Sequence, residues 1–293
     1  MIECNLCHNP NGNQLVQTGV YGYPNVNGYR CNECQHLFIS PVMEDSEETS
    51  FYSKEYPIFL HQRGDSKNQS AEKHFTMNKS EGNRRLIEIK KYLNKEQTVL
   101  EIGSASGFFL AEIRPFVKQV VGLEPNIDHG QYANGMGITT FKSLDEIPNN
   151  SCDIICSYYV LEHIRNPESF LRAILQKLKK GGILLTEVPN GNEALLSLYS
   201  NQAYKNFCWQ KAHVSYFTKE TLEYLNSKVG LTSAMVPIQR YDISNHLFWL
   251  MNGKPGGAGK FCHIFDEKLN SEYHRCLKEN WICDSILSIS KYQ

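Results

Sequence analysis

Short apolar runs separated by amphipathic segments fill the second half of the chain. Runs typical of buried strands lie at residues 99–102, 119–123, 137–141, 152–157 and 182–188. Residues 167–178 carry apolar side chains at helical spacing, and the Lys180-Gly181-Gly182 sequence that follows favours a helix end. Strands that alternate with helices in this way predict an α/β fold with a doubly wound parallel sheet.

Further elements are predicted on both sides of this alternation. Residues 84–93 have the pattern of an amphipathic helix. Residues 218–229 have the pattern of a helix with Thr218 as its N-cap and Gly230 at its C-terminal end. Strands at residues 232–239 and 281–290 would bring the sheet to seven strands.

The turn after the first of these strands consists of small residues, namely Gly103, Ser104, Ala105, Ser106 and Gly107. Small side chains let a ligand lie against the backbone, and the helix that follows offers free N–H groups to an anion. The next strand ends in Glu124. An acid at this place, about 20 residues after the turn, suits the two hydroxyls of a ribose. The sequence therefore predicts a site for a nucleoside-bearing cofactor.

The charge of the chain is balanced, with 30 basic and 31 acidic residues among 293 and a net charge of −1. This balance argues against generic affinity for nucleic acid. No apolar run reaches the roughly 18 residues that span a bilayer, and the N-terminus lacks the pattern of a secretory signal. We therefore expect a cytoplasmic protein without a membrane partner and without nucleic acid as its main partner.

Four of the ten cysteines form two C-x-x-C pairs, Cys4 with Cys7 and Cys31 with Cys34. In a reducing compartment, paired knuckles of this kind indicate zinc rather than disulfides. Four thiolates close a tetrahedral site, so we expect a structural Zn²⁺ that stabilises a small ribbon over residues 1–42. His8 and His36 lie beside the knuckles as alternative ligands.

Residues 43–80 are expected to link this ribbon to a main domain at residues 81–293. The linker is acidic at first and then rich in aromatic residues between Phe51 and Phe59, and residues 64–70 have the composition of a loop. The aromatic side chains could form a lid over the cofactor or pack the ribbon onto the main domain, and the sequence leaves both open.

Four motifs follow one another in the main domain: E-I-G-S-A-S-G at 101–107, G-L-E-P at 122–125, S-Y-Y-V-L-E-H-I at 157–164 and K-K-G-G-I-L-L-T-E-V-P-N at 179–190. In this order they resemble the motifs of class I S-adenosylmethionine-dependent methyltransferases. The resemblance implies a Rossmann-like seven-stranded sheet and S-adenosylmethionine as the cofactor. The preceding ribbon resembles that of a bacterial subgroup that methylates sugars and small metabolites. A small-molecule acceptor such as a nucleotide-linked sugar or glycan precursor is therefore implied.

The resemblance also implies roles for individual residues. The methionine part of the cofactor would be held by Glu101, Gly103, Ser104, Ala105 and Gly107. Glu124 would bind the ribose, Pro125 would flank the adenine, and Ser143 and Leu144 would meet its edge. The cofactor floor would be lined by Tyr158, Tyr159 and His163. The insertions at about 190–215 and 240–277 would shape the acceptor pocket.

Two departures from the family pattern bear on these implications. Ala105 replaces the middle glycine of the usual turn, and alanine is small enough for cofactor binding to survive. Ala212 stands before His213, where the sugar C-methyltransferases of this group carry an acid. The change favours an oxygen or nitrogen acceptor over carbon.

The sequence offers three candidates for the general base. His213 is the first candidate because a histidine titrates near neutral pH, and Tyr216 and His246 are the alternatives. A structural role for His213 is the alternative to a catalytic one. Other functions also remain open: an RNA methyltransferase that reads RNA through the ribbon, a sugar C-methyltransferase, a nicotinamide-dependent oxidoreductase or a binding scaffold.

Overall fold

The computed structural model describes residues 2–56, 58–59, 63 and 70–292. The loop expected at residues 64–70 lies outside the described residues except for Ser70. None of the described helices has the length and apolar character needed to cross a membrane.

The secondary structure alternates between strands and helices after residue 95. The strands are β1 (Gln14–Gln17), β2 (Asn27–Arg30), β3 (Leu37–Ser40), β4 (Thr98–Ile102), β5 (Gln119–Leu123), β6 (Thr139–Phe141), β7 (Cys152–Tyr158), β8 (Leu178–Pro189), β9 (Ser215–Tyr216), β10 (Leu231–Ile238) and β11 (Ser285–Tyr292). The α-helices are α1 (Asp45–Ser50), α2 (Ala71–Ile89), α3 (Phe108–Ile113), α4 (Ile127–Gly135), α5 (Pro167–Leu175), α6 (Gln202–Cys208), α7 (Lys219–Lys228), α8 (Ile243–Asn252) and α9 (Glu267–Glu279). A π-helical turn spans Phe51–Glu55, and 3-10 turns span Lys90–Tyr92, Arg114–Phe116, Leu144–Glu146 and Leu161–His163.

Seven strands form one sheet in the order β10-β11-β8-β7-β4-β5-β6. The five strands from β4 to β8 are parallel, and β11 runs antiparallel to both of its neighbours. The chain leaves β4 towards β5 and later returns to β7 on the other side of β4, so the strand order reverses between β4 and β7. In doubly wound sheets, ligands bind beyond the carboxyl ends of the strands at such a point. The predicted seven-stranded α/β sheet is confirmed.

Several element bounds differ from the sequence-based predictions. Helix α5 ends at Leu175 rather than 178, because Leu178 already pairs with Cys152 at the start of β8. Strand β11 begins at Ser285 rather than 281, because Trp281 has a φ of 56°, which no strand residue adopts. Helix α2 begins at Ala71 rather than 84, with Ser70 as its N-cap, and its polar first half hides the helical period.

The N-terminal sheet takes its last strand from far along the chain. Its order is β1-β2-β3-β9, and β9 lies at residues 215–216. Tyr21 also forms a bridge with Gln210. Gly28 leaves room for Trp209, because a Cβ at this position would lie 2.3 Å from the indole ring. The segment at 209–216 is therefore held by the N-terminal sheet.

The aromatic residues of the linker pack between the two parts of the chain. Phe51 and Phe59 are buried in a cluster with Met43 and Ala212. The ring of Tyr21, from the N-terminal sheet, contacts Phe59 at a centroid distance of 5.6 Å. These contacts correspond to the packing role that the sequence left open beside the lid role.

Candidate functional site

The turn between β4 and α3 is fastened to the end of β5. The backbone N–H groups of Gly103 and Ser104 donate to the carbonyl of Leu123, at 2.8 and 3.1 Å. The carboxylate of Glu124 accepts one hydrogen bond from Ala105 N (2.8 Å) and one from Asn126 N (2.7 Å). Burial raises the pKa of the Glu124 carboxyl, and these two N–H groups oppose the rise. The predicted turn and acid therefore come together at the carboxyl edge of the sheet.

The residues of this turn differ in backbone conformation and in the burial of their side chains. Gly103 and Gly107 adopt φ values of 70° and 77°, which suit glycine. Ala105 adopts a φ of 45°, where its Cβ is strained. The hydroxyl of Ser104 is buried against Gly122, where a Cβ would lie 2.4 Å from it. The side chain of Ser104 is therefore turned into the protein, and its backbone N–H and C=O already bond to Leu123 and Gly107.

The acid at position 101 faces helix α2. Glu101 is 1% exposed, and its Oε1 lies 3.5 Å from Nη1 of Arg85. Its Oε2 has no hydrogen-bond partner among the described residues. Burial raises the pKa of the Glu101 carboxyl to about 8, although the Arg85 guanidinium works against this. The guanidinium also stacks 4.4 Å from the ring of Tyr158.

A buried polar network that the sequence did not predict lies at the ends of β7 and β8. Glu187 is 1% exposed and accepts two hydrogen bonds from Arg84 Nη2, at 2.8 and 2.9 Å. The hydroxyl of Tyr159 donates to the same carboxylate at 2.9 Å and lies 2.6 Å from Ser285 Oγ. The position of Glu187 at the end of the fifth sheet strand was the available signal, but its partners come from distant segments.

Tyr159 itself adopts a φ of 58°. This left-handed conformation costs a residue with a Cβ on the order of 1 kcal/mol. The hydroxyl bonds to Glu187 and Ser285 hold the residue there. Arg240 stacks 4.6 Å from its ring and forms an ion pair with Asp284 at 2.9 Å.

The residues predicted to meet the adenine lie at the ends of β5 and β6. Pro125 and Ser143 are exposed, and Leu144 is partly buried. Ser143 caps the turn at residues 144–146, and Glu146 accepts a hydrogen bond from its backbone N–H at 2.9 Å. Their adenine-binding roles stay predictions.

Glu162, His163 and His213 form a compact centre. One ligand-type atom from each of the three lies within 4.8 Å of the others. The imidazole rings of His163 and His213 meet edge to face, with centroids 4.8 Å apart. Burial lowers the pKa of His163 to about 4 and that of His213 well below its usual value. Burial raises the pKa of the Glu162 carboxyl to about 8. Both imidazoles are therefore neutral near pH 7.

The other two candidates for a general base are placed differently. The ring of Tyr216 lies 6.0 Å from that of His213, but its hydroxyl bonds to the backbone of Gln210 and Cys208. Burial raises the pKa of Tyr216 well above its usual value. His246 lies in a separate cluster, 2.5 Å from the hydroxyl of Tyr273. The structure thus brings Tyr216 but not His246 to His213, and the catalytic roles stay predictions.

The two insertions wall a cleft of about 380 Å³. Phe207 and Trp249 lie on opposite insertions, and Arg63 stacks on Phe207 with its guanidinium 3.8 Å from the ring centroid. The charge of Arg63 contributes to the lowered pKa of His213.

The four cysteines of the N-terminal pairs form a second cluster, with all sulfur atoms within 4.8 Å of one another. The Sγ atoms of Cys4 and Cys34 are 3.7 Å apart, and those of Cys7 and Cys31 are 3.5 Å apart. Tetrahedral zinc with Zn–S bonds of about 2.3 Å requires separations of roughly 3.8 Å. The cluster therefore fits and suggests zinc.

The two histidines beside the knuckles take no part in this cluster. His8 pairs with Glu3 at 3.0 Å. His36 is buried between Phe38 and Phe217, with ring centroids 6.4 and 5.0 Å away, and burial lowers its pKa to about 3.

Comparisons with known proteins agree with this architecture. Residues 76–234, more than half of the chain, match the protein family described as a methyltransferase domain. The structure is similar to a SAM-dependent methyltransferase from Archaeoglobus fulgidus, with 19% identity, a TM-score of 0.52, and coverage of 81% of this chain and 100% of that one. It is also similar to a chain of the Haloferax volcanii complex between the Trm112 methyltransferase activator and a methyltransferase, with 16% identity, a TM-score of 0.51, and coverage of 77% and 97%.

No curated protein matches the chain at a significant level. At these identities the structural neighbours show the fold, and the family match shows the family. The chain therefore belongs to the methyltransferase-domain family and has the fold of the S-adenosylmethionine-dependent methyltransferases.

Proposed function

We propose that the protein transfers the methyl group of S-adenosylmethionine to an oxygen of a small polar molecule, a sugar or glycan precursor, with nitrogen as the alternative acceptor atom. The observation that carries this proposal is the neutral Glu162–His163–His213 centre beside the glycine-rich turn. A Cβ at Gly103 would lie 2.7 Å from Val160, which precedes Glu162 by two residues. The Glu162–His163–His213 centre, which can remove the proton of an acceptor hydroxyl, thus lies next to the expected cofactor site.

The residues of the turn fit S-adenosylmethionine. The Glu124 carboxylate is fixed by two N–H groups and is only partly buried, so its remaining lone pairs can accept the ribose hydroxyls. The unpartnered Oε2 of Glu101 is a further acceptor at the start of the turn. When bound, the cofactor supplies a methyl group already activated by its sulfonium. The residues of the chain then have to align the acceptor and exclude water.

The cleft between the insertions suits a small polar acceptor. Its volume of about 380 Å³ lies within the range of ligand pockets, and it combines aromatic walls with the guanidinium of Arg63. Aromatic faces can stack on a base or a sugar, and a guanidinium recognises phosphate or carboxylate groups. A nucleotide-linked sugar presents both kinds of surface.

The N-terminal ribbon favours this proposal over RNA methylation. Arg30 is the one basic residue before position 42. Two lysines that reach the ribbon from the main domain already bond to its backbone, Lys205 to Val16 O at 2.7 Å and Lys228 to Leu6 O at 2.9 Å. RNA recognition would call for basic side chains turned towards solvent.

The ribbon itself is proposed to hold one structural Zn²⁺ on Cys4, Cys7, Cys31 and Cys34. A closed set of four thiolates leaves no coordination position for a substrate. Its contribution would be to hold segment 209–216, and with it His213, through the β3–β9 pairing.

The test is a calorimetric titration of the zinc-loaded full chain with S-adenosylhomocysteine, with NAD as the competing cofactor. We expect the wild type to bind S-adenosylhomocysteine. The Glu124→Gln variant should bind it at least tenfold more weakly. The exposed Asp128→Asn, four residues further on, is the matched control and should bind as the wild type does. Binding of NAD alone, or no binding of either, would contradict the proposal. Radiolabelled methyl transfer to nucleotide-linked sugars then identifies the acceptor.

A further inference from the structure

We propose that Glu162, His163 and His213 form a second metal site, which takes a first-row divalent transition cation such as Mn²⁺, Fe²⁺, Co²⁺ or Zn²⁺. The site is separate from the four cysteines, and it lies at the carboxyl edge of the main sheet rather than in the ribbon.

The two chain segments that carry the three residues are linked by hydrogen bonds on both sides of His213. Glu162 O accepts a hydrogen bond from Val214 N at 2.8 Å, and Nδ1 of His163 lies 2.8 Å from Ala212 O. His213 is therefore flanked by two links to the 3-10 turn that carries the other two groups. The three ligand-type atoms lie within 4.8 Å of one another without a bound ion. Tetrahedral bonds of about 2.1 Å require separations of roughly 3.4 Å, so a contraction of at most about 1.4 Å completes the site.

The contact to Ala212 also fixes the tautomer of His163. A carbonyl oxygen only accepts, so the proton must lie on Nδ1, and Nε2 keeps its lone pair. A metal-bound histidine typically makes such a bond from its other nitrogen, which orients the ring and raises its basicity as a ligand. Tyr52 Oη lies 3.2 Å from the same Nδ1 and further confines the ring.

Glu162 provides the independent sign that a ligand belongs here. The side chain is 2% exposed, and among the described residues neither carboxylate oxygen receives a hydrogen bond from another residue. Arg240 is the cation whose charge acts on Glu162, but its guanidinium is already paired with Asp284. A buried carboxylate that receives no hydrogen bond from another residue is costly unless a cation or donor satisfies it.

The donor set selects the class of cation. Two imidazole nitrogens and one carboxylate oxygen suit zinc, iron, cobalt or manganese, whereas magnesium and calcium prefer oxygen donors alone. Three protein ligands leave coordination positions open, as in catalytic rather than structural sites. His163 and His213 are partly exposed, whereas Glu162 is buried.

In the reaction, and on the basis of the proposed function, an acceptor hydroxyl would take an open position on the cation. Coordination lowers the pKa of the hydroxyl, whose proton passes to solvent water. The oxygen then forms a bond to the methyl carbon, the S–C bond breaks, and its electron pair stays on sulfur. The products are a methyl ether, S-adenosylhomocysteine and one released proton.

The experiment is equilibrium dialysis of the metal-free full chain against Co²⁺, with metal counted by atomic emission and the optical spectrum recorded. The wild type should bind two Co²⁺ per chain, one of them with the intense charge-transfer band of thiolate ligation. Glu162→Gln and His213→Gln should each bind one and retain the thiolate band, which also reports an intact ribbon. The matched control is Glu193→Gln, a second buried glutamate with an unpartnered oxygen, which should still bind two.

The proposal of a second metal site would be overturned if the wild type bound only one Co²⁺ per chain, or if Glu162→Gln still bound two. The same samples are titrated with S-adenosylhomocysteine, which separates the two proposals. If the wild type binds two Co²⁺ but no S-adenosylhomocysteine, the proposed function alone is refuted. If it binds S-adenosylhomocysteine but only one Co²⁺, the metal site alone is refuted.

Discussion

Phe38 in β3 lies opposite Ser215 in β9, so the N-terminal sheet is completed by a segment of the methyltransferase domain. His213 precedes Ser215 by two residues, and the carbonyl of Val214, between them, accepts a hydrogen bond from Ile39 N at 3.2 Å. The position of a predicted catalytic histidine thus depends on the ribbon. The ribbon in turn depends on its cysteine cluster.

Loss of the zinc proposed for the ribbon should therefore lower the stability of the fold more than the affinity for the cofactor. For Cys31→Ser we expect a loss of about 3 kcal/mol in the free energy of unfolding, since metal ligation supplies the stability that so small a sheet lacks. Affinity for S-adenosylhomocysteine should change less than threefold, because the glycine-rich turn lies in the other sheet. Chemical denaturation and calorimetry measure the two quantities. The exposed Cys262→Ser is the control, and equal losses in both would refute this separation.

The backbone strain in the turn at residues 103–107 can be relieved by a substitution. Ala105 adopts a φ of 45°, so Ala105→Gly should raise the free energy of unfolding by about 0.5 to 1 kcal/mol, the strain relieved exceeding the entropy lost. Ala111→Gly, inside helix α3, should lower it by about 1 kcal/mol. Urea unfolding of both variants checks the opposite signs. Destabilisation by Ala105→Gly would show that the strain is not stored at this position.

The buried pair at the end of β8 should be costly to break. Arg84→Met leaves the carboxylate of Glu187, which is 1% exposed, without its cation, and we expect a loss of about 3 kcal/mol. Arg275, whose ion pairs with Glu272 and Glu279 lie on the surface, provides the control. Arg275→Met should leave the unfolding midpoint unchanged. Similar effects of the two variants would argue against a special role for the buried pair.

The contribution of Glu193 to stability should fall as pH rises from about 4.5 to about 8. Burial raises the pKa of Glu193 to about 8 in the folded chain, while the unfolded value is near 4.5. Between these values the folded state binds more protons than the unfolded state, so its advantage is full below about pH 4.5 and is lost as pH approaches 8.

Glu193→Gln removes this contribution. Its free energy of unfolding should decline less between pH 5 and pH 8 than that of the wild type, by about 3 kcal/mol. The exposed Glu223→Gln should follow the wild-type profile. Denaturant titrations at several pH values measure the difference, and parallel profiles for Glu193→Gln and wild type would contradict the assignment.

Much of the main domain was predictable because its information is local. The apolar run at residues 119–123 and the capping residue Thr218 specify their own elements, and the structure places them at β5 and at the N-terminus of α7. The turn at 103–107 and Glu124 also lie within one β-α-β unit, so their meeting follows from chain order. The C-x-x-C spacing predicted the cysteine cluster for the same reason.

Contacts between distant segments were beyond the reach of these patterns. Glu162 and His213 are separated by 50 residues, and nothing in either local sequence shows that a two-residue strand brings them together. Likewise, Glu187 gives no sign along the chain that Arg84 and Tyr159 will enclose it.

The sequence by itself determined the strands of the main sheet, helices α3, α5 and α7, the small-residue turn at 103–107 and the set of four cysteines. Periodicity, capping and ligand spacing act over a few residues, which is why these features could be predicted. The tertiary structure alone decided that the ribbon sheet includes β9 and that His246 lies apart from His213. It also decided that Glu162 is buried without a hydrogen bond from any other described residue. These facts depend on which surfaces pack together, and packing is a property of the whole chain.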